Sequence, residues 1–184
     1  MRAGKCRTGA RCARVVVFSL AVLMLSSTAL YAADTYWQNP GSGNWFDPAN
    51  WTKGVPSAVK GAYVVNHGTA QVADGAAFAW NLWLTYASST VAQAGGTMTI
   101  ANTLYSDSDG ACYRLQDGDL ACDTLYLGYG GNGCFEQSGG TNTVGYLRND
   151  YGRYTLSGAD LHPKNWSSQN ESPPGRLGSQ DRRP

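Results

Sequence analysis

The stretch CFEQSGGTNTVG, residues 134–145, is followed closely by GRYTLSGADL, residues 152–161. Each begins near an aromatic residue, carries Gln or Leu two positions later, and then reaches a glycine. The same order occurs earlier in VAQAGG, residues 91–96, and CYRLQDG, residues 112–118, so four copies align. Their anchors, Val91, Tyr113, Phe135 and Tyr154, stand 22, 22 and 19 residues apart. Gln93, Leu115, Gln137 and Leu156 follow the anchors, and Gly95, Gly118, Gly139 and Gly158 follow those. Two further elements recur with them. GGTMTI at 95–100 matches GGTNTV at 139–144, and a Leu-rich segment precedes each anchor as LWL, LY, LYL and YL.

Internal repetition of this kind decides the fold before any single strand is assigned. The unit predicts a short strand around L-x-L, a turn, a strand around the aromatic anchor, a Gly turn, and a strand around T-x-T-V. Alternate residues of a strand face opposite sides, which puts Phe135 with Gln137 on one side and Glu136 on the other. A unit of about 20 residues cannot close a core alone and must stack on its neighbours. The expected fold is all-β: a parallel β-solenoid, or β-helix, of about four short coils over residues 82–161. Equivalent residues then form ladders at ~4.8 Å intervals, with glycines at corners that need positive φ. An antiparallel sandwich also uses evenly spaced short strands, but it does not require matched residues at matched offsets.

The flanks differ from the repeats. Residues 1–32 hold Arg2, Lys5, Arg7, Arg11 and Arg14, then the apolar run VVVFSLAVLML, then YAA, and no acidic residue precedes Asp34. This describes a secretory signal peptide cleaved near Ala32 or Ala33; a membrane-spanning helix needs ~20 apolar residues, and the run is shorter. No stable membrane span is therefore expected after cleavage. Removing the leader takes five of 14 basic residues and leaves nine against 13 acidic ones, about −4. That sign is wrong for a protein that grips phosphate backbones, so nucleic acid is not an expected partner. Residues 33–81 form an N-terminal Trp-rich cap with the first strands. Residues 162–184 carry four prolines and no apolar periodicity, and read as a disordered tail.

CFEQSGGTNTVG and GRYTLSGADL resemble the F-x-Q-S-G-G-T-N-T-V and Y-x-L-S-G-G modules of secreted bacterial Gly-rich repeat proteins, the autotransporter-associated β-strand repeats found in large planctomycete-type surface proteins. TYWQNPGSGNWFDPANWTKGVP, residues 35–56, is similar to the Trp-rich opening that precedes such solenoids, through Trp37, Trp45, Asn50, Trp51, Gly54 and Pro56. The resemblance implies an exported, non-enzymatic structural or adhesive module of the cell surface or extracellular space. It also implies that the chain is a truncated piece of a longer repeat array. Polysaccharide or other surface proteins are the partners it suggests, and no cofactor is expected.

Individual residues add little chemistry. His67 and His162 are the only histidines, and neither stands where a Ser/His/Asp set would need a base. The aspartates cluster around turns, so paired carboxylates facing one cleft, as glycoside cleavage requires, are not expected. Asp107-x-Asp109-Gly110 is a fragment of a calcium loop without its third ligand or closing Glu, and turn chemistry accounts for it. Carbohydrate binding is the alternative to a structural role, with Trp45 and Trp51 as ring platforms for sugars; a core role for both is the competing explanation. A polysaccharide-degrading β-helix is a further alternative. Cys112 and Cys134 lie one repeat apart, which stacking would bring within disulfide range. Two small side chains in one ladder would give the same spacing.

Overall fold

The computed structural model describes residues 33–157 in full and the backbone of the strand Asp160–Ser168. The proposed leader, residues 1–32, residues 158 and 159 with the expected corner at Gly158, and the chain beyond Ser168 lie outside the described residues. Twelve strands follow in order: β1 (Thr35–Tyr36), β2 (Ser42–Asn44), β3 (Ala62–Val64), β4 (Thr69–Val72), β5 (Ala76–Ala79), β6 (Leu82–Leu84), β7 (Thr90–Ser106), β8 (Cys112–Leu127), β9 (Cys134–Gln137), β10 (Thr141–Asn149), β11 (Arg153–Leu156) and β12 (Asp160–Ser168). All ladders between these strands are parallel. The antiparallel exception among the described residues is a single bridge, Trp37 to Trp51. The protein is an all-β parallel solenoid, as the repeat spacing predicts.

Each coil has three sides. One stacks β1, β3 and β6 on the ends of β7, β8 and β10. The second runs β2, β4, the start of β7, the start of β8, β9, β11. The third runs β5, the middle of β7, the middle of β8, β10, β12. β7 and β8 are long because each continues around corners, and β7 shifts register there, between Gln93 and Ala94, Ala94 and Thr97, and Ile100 and Thr103. Residues 62–79, 82–100, 103–122 and 124–144 thus make four three-sided coils.

The inward columns form the core. Leu82, Leu104, Leu125 and Leu147 stack in one, and Ala79, Ile100, Cys122 and Val144 in another. All are buried. Burying one Leu fully is worth roughly 1.5–3 kcal/mol, so a four-Leu column is a large part of what holds adjacent coils together. The anchor column Val91, Tyr113, Phe135, Tyr154 is also inward, with rings stacked at 5.5 Å (Tyr113 on Phe135) and 5.0 Å (Phe135 on Tyr154).

Two tyrosine hydroxyls in this core are matched with glutamine acceptors. Tyr113 Oη donates to Gln93 Oε1 at 2.6 Å, and Tyr154 Oη donates to Gln137 Oε1 at 3.1 Å; in each case the Gln lies in the preceding coil. Phe135 has no hydroxyl, and the residue at the corresponding position of its preceding coil is Leu115, which offers no acceptor. Gln93 Nε2 donates to the Gly96 and Asp119 carbonyls, and Gln137 Nε2 to the Gly140 carbonyl. The alternation of Gln and Leu two residues after the anchor is therefore set by whether the next anchor carries a hydroxyl. Left unpaired at such a site, one of these groups would cost about 1–3 kcal/mol.

At the Gly-Gly corners both glycines lie against the coil below, and the second also takes positive φ. Positive φ falls on the second glycine, Gly96 (63°) and Gly140 (67°), and on Gly118 (82°), rather than on Gly95 or Gly139. The first glycine is needed for closeness alone: a Cβ on Gly139 would lie 2.1 Å from the Gln116 carbonyl oxygen of the coil below.

The N-terminal segment does more than plug the stack. β1 and β2 pair in parallel with β3 and β4 and so begin the first and second sides themselves. Trp37, Trp45 and Trp51 fold beneath them edge to face, with centroids 5.0 Å (Trp37–Trp51) and 4.8 Å (Trp45–Trp51) apart. At the other end, β12 pairs with β10 through Ser168, so the ladder continues past Leu161, where the sequence pattern predicts disorder to begin. Backbone pairing requires no apolar periodicity, which is why the composition of 162–168 did not reveal it.

Candidate functional site

The second side carries a cleft of about 200 Å³, lined by Arg114, Gln116, Glu136, Gln137, Ser138, Thr155 and Ser157. Strand alternation puts it there. Tyr113, Phe135 and Tyr154 point inward, so the next residues, Arg114, Glu136 and Thr155, form an outward column on successive strands. Arg114 Nε donates to Glu136 Oε2 at 3.0 Å, and a terminal nitrogen of Arg153 donates to Glu136 Oε1 at 2.6 Å. Two guanidiniums thus share one carboxylate, leaving a local charge of +1. Both arginines are exposed, and their ion pairs are screened by water.

Beside this cleft, Cys112 and Cys134 are joined in a disulfide with a Cα–Cα distance of 4.6 Å. The two cysteines are direct partners across β8 and β9. Their sulfurs and a Glu136 oxygen lie within 4.8 Å of one another, the one grouping of three metal-ligating side chains among the described residues. The S–S bond takes away the thiolates a metal would require. Cys122 remains a buried free thiol, its pKa pushed up to about 12 by burial and then by Asp123. Such a thiol is unreactive at neutral pH.

The first side presents a different feature, a column of rings. Tyr36, Tyr63, Trp83, Tyr105 and Tyr126 occupy one register position on successive strands. Centroid spacings are 4.8, 6.0, 3.7 and 5.9 Å along the column. Arg148 closes it, its guanidinium 4.4 Å from the Tyr126 centroid. Asp150 accepts from Arg148 and from Tyr126 Oη at 2.6 Å. The hydrogen bond from Arg148 holds the Asp150 carboxyl below its ordinary range, while burial and the Asp150 contact push the Tyr126 phenol up to about 12. The rings face one another, so the column offers mainly edges to solvent.

Trp45 and Trp51 are 0% and 2% exposed, which removes them as sugar-stacking platforms. Their contribution is to the core, where Trp51 Nε1 donates to the Trp45 carbonyl at 2.7 Å. His67 sits in the turn between β3 and β4 with φ 65°, its Nδ1 at 2.5 Å from the Ala87 carbonyl. Asp109 Oδ1 accepts from both the backbone and side-chain nitrogens of Asn132, a turn-to-turn tie between adjacent coils. Asp107 is buried, and burial raises its pKa. The acidic stretch therefore works as turn structure, with Asp107 and Asp109 in different surroundings.

Two groupings escaped the sequence analysis, and both had a legible signal. The outward Arg–Glu–Thr column sits one residue after each of the last three aligned anchors, and Trp83 and Tyr126 are the middle residues of LWL and LYL. Compared with known proteins, the chain matches no family model, no curated protein and no solved structure. The family resemblance rests on the quoted motifs alone.

Proposed function

We propose that the protein is an exported, non-enzymatic β-solenoid module that serves a structural and adhesive role at the cell surface or in the extracellular space. The observation that supports it most is how the side chains of the coils are used. Inward columns of Leu, the Tyr–Gln pairs, the outward ring column and the coil-to-coil disulfide all join one coil to the next. Such a stack presents a regular outer surface, suited to bearing and displaying rather than to enclosing a substrate. A disulfide between coils fits an oxidising compartment, in keeping with the leader in the sequence.

The test is to produce the full chain with its own leader in a secreting host. The expected product begins near Asp34, stays outside the cytoplasm, and attaches coated beads to polysaccharide or cell surfaces while releasing no saccharide. A product beginning at Met1 and held in the cytoplasm would overturn export. Measurable sugar release from any polysaccharide would overturn the non-enzymatic role.

A further inference from the structure

We propose that the cleft on the second side is a binding strip for an acidic polysaccharide whose sugars carry carboxylates, laid along the solenoid axis. The proposal rests on the adhesive half of the function above, since it names what the surface would hold. Of the five basic residues between positions 33 and 161, Arg114 and Arg153 are gathered at this one place. Each uses one N–H on Glu136, and a guanidinium has five, so donors remain for an incoming anion. Planar carboxylates suit the guanidinium fork, which makes a uronic acid a better match than a neutral sugar.

Spacing gives the orientation. Arg114 lies on β8 and Arg153 on β11, with β9 between them. Two strand spacings separate their rungs, roughly 9.6 Å along the axis. The side chains close that gap, because both guanidiniums converge on the two oxygens of Glu136 at 3.0 and 2.6 Å, so carboxylates on adjacent sugars would meet the two arginines. Gln116, Ser138 and Ser157 are exposed and stand one residue beyond the stacked positions Leu115, Gln137 and Leu156. They supply an amide or hydroxyl at each rung for the sugar hydroxyls. A sugar ring then needs no exposed aromatic face to be held.

Affinity electrophoresis and calorimetry of the full chain would use polygalacturonate as probe, with dextran sulfate and neutral dextran as comparators. Polygalacturonate is expected to bind, more weakly as salt rises. Arg114→Gln with Arg153→Gln should weaken binding about tenfold or more, the size expected for losing hydrogen bonds to a charged group. Lys53→Gln with Lys60→Gln, which removes the same two charges from positions outside the cleft lining, should leave it unchanged. Gln116→Ala breaks neither ion pair and should weaken binding a few-fold; it decides the matter if the double variant does not fold. Dextran sulfate or dextran binding as tightly as polygalacturonate overturns the carboxylate assignment. Polygalacturonate binding unaltered in both variants overturns the cleft while leaving adhesion standing. No polysaccharide binding at all also overturns the cleft, and bead attachment to cell surfaces then judges adhesion separately.

Discussion

The pairing of Tyr113 with Gln93 permits a direct test of what holds consecutive coils in register. Tyr113→Phe leaves Gln93 Oε1 without its 2.6 Å donor at a position with no solvent exposure. The cost is the desolvation of one unpaired acceptor, ~1–3 kcal/mol. Gln93→Leu should cost at least as much, because it strands the Tyr113 hydroxyl and also removes the Nε2 bonds to the Gly96 and Asp119 carbonyls. The double variant installs the Phe-over-Leu arrangement that the next coil already uses at Phe135 and Leu115. Its destabilisation should therefore fall short of the sum of the single ones by about 1 kcal/mol or more. At ~2–4 °C per kcal/mol for a chain of this size, Tyr113→Phe should lower Tm by roughly 4–8 °C for a 2 kcal/mol loss. Urea titrations of the four proteins, followed by circular dichroism, supply the double-mutant cycle. Additivity within about 0.5 kcal/mol would refute the matched-pair explanation, as would a neutral Tyr113→Phe.

The disulfide closes a separation of 22 residues, for which chain-entropy arguments give about 3 kcal/mol. Reduction or Cys112→Ser with Cys134→Ser should lower Tm accordingly, and thiol titration of the protein cleaved near Asp34 should find one free thiol, Cys122, only after denaturation; three would contradict the bond. Gly118→Ala places a Cβ at φ 82° and 2.2 Å from the Gly96 carbonyl oxygen. A positive-φ penalty of ~1–3 kcal/mol plus that clash should yield poorly soluble protein, measured as the soluble fraction on expression, whereas the same change at Gly54, with φ 73° and open space around it, should cost only the strain. Asp150 is held below its ordinary pKa chiefly by Arg148, so the folded state binds its proton less tightly than the unfolded one. Its contribution is complete above about pH 4 and is lost as pH falls through the lower folded value. Asp150→Asn should therefore flatten the acid limb of a stability-against-pH curve, and an unchanged limb would exclude the Arg148–Asp150 pair as its source.

The repeat was legible because a solenoid writes its contacts into the sequence at fixed offsets. Phe135 over Tyr154, the corner at Gly118 and the inward Leu column all follow from counting. Details that depend on two coils at once were harder to see. Gln93 and Leu115 look interchangeable within one unit, and only the hydroxyl of the following coil distinguishes them. Gly95 and Gly96 likewise look equivalent, and only the positive φ of Gly96 distinguishes them, since each lies against a carbonyl of the coil below. Trp45 and Trp51 left sugar stacking open beside the core role that they have, because a tryptophan's ring carries the same information whether it is displayed or enclosed. The cleft at Arg114, Glu136 and Arg153 depends on outward residues, where no core pattern constrains the choice.

The cross-coil disulfide has a consequence for the molecule under load. A stack whose coils touch only their neighbours yields to axial tension by peeling, one coil's length of chain at a time. Between Cys112 and Cys134 the covalent link bypasses 22 residues of that chain. At ~3.3–3.6 Å per extended residue, it withholds about 75 Å of slack that peeling would otherwise release. A tether built this way would lengthen from its ends and then stop short, and reducing conditions would restore the missing extension as a single step in a pulling trace.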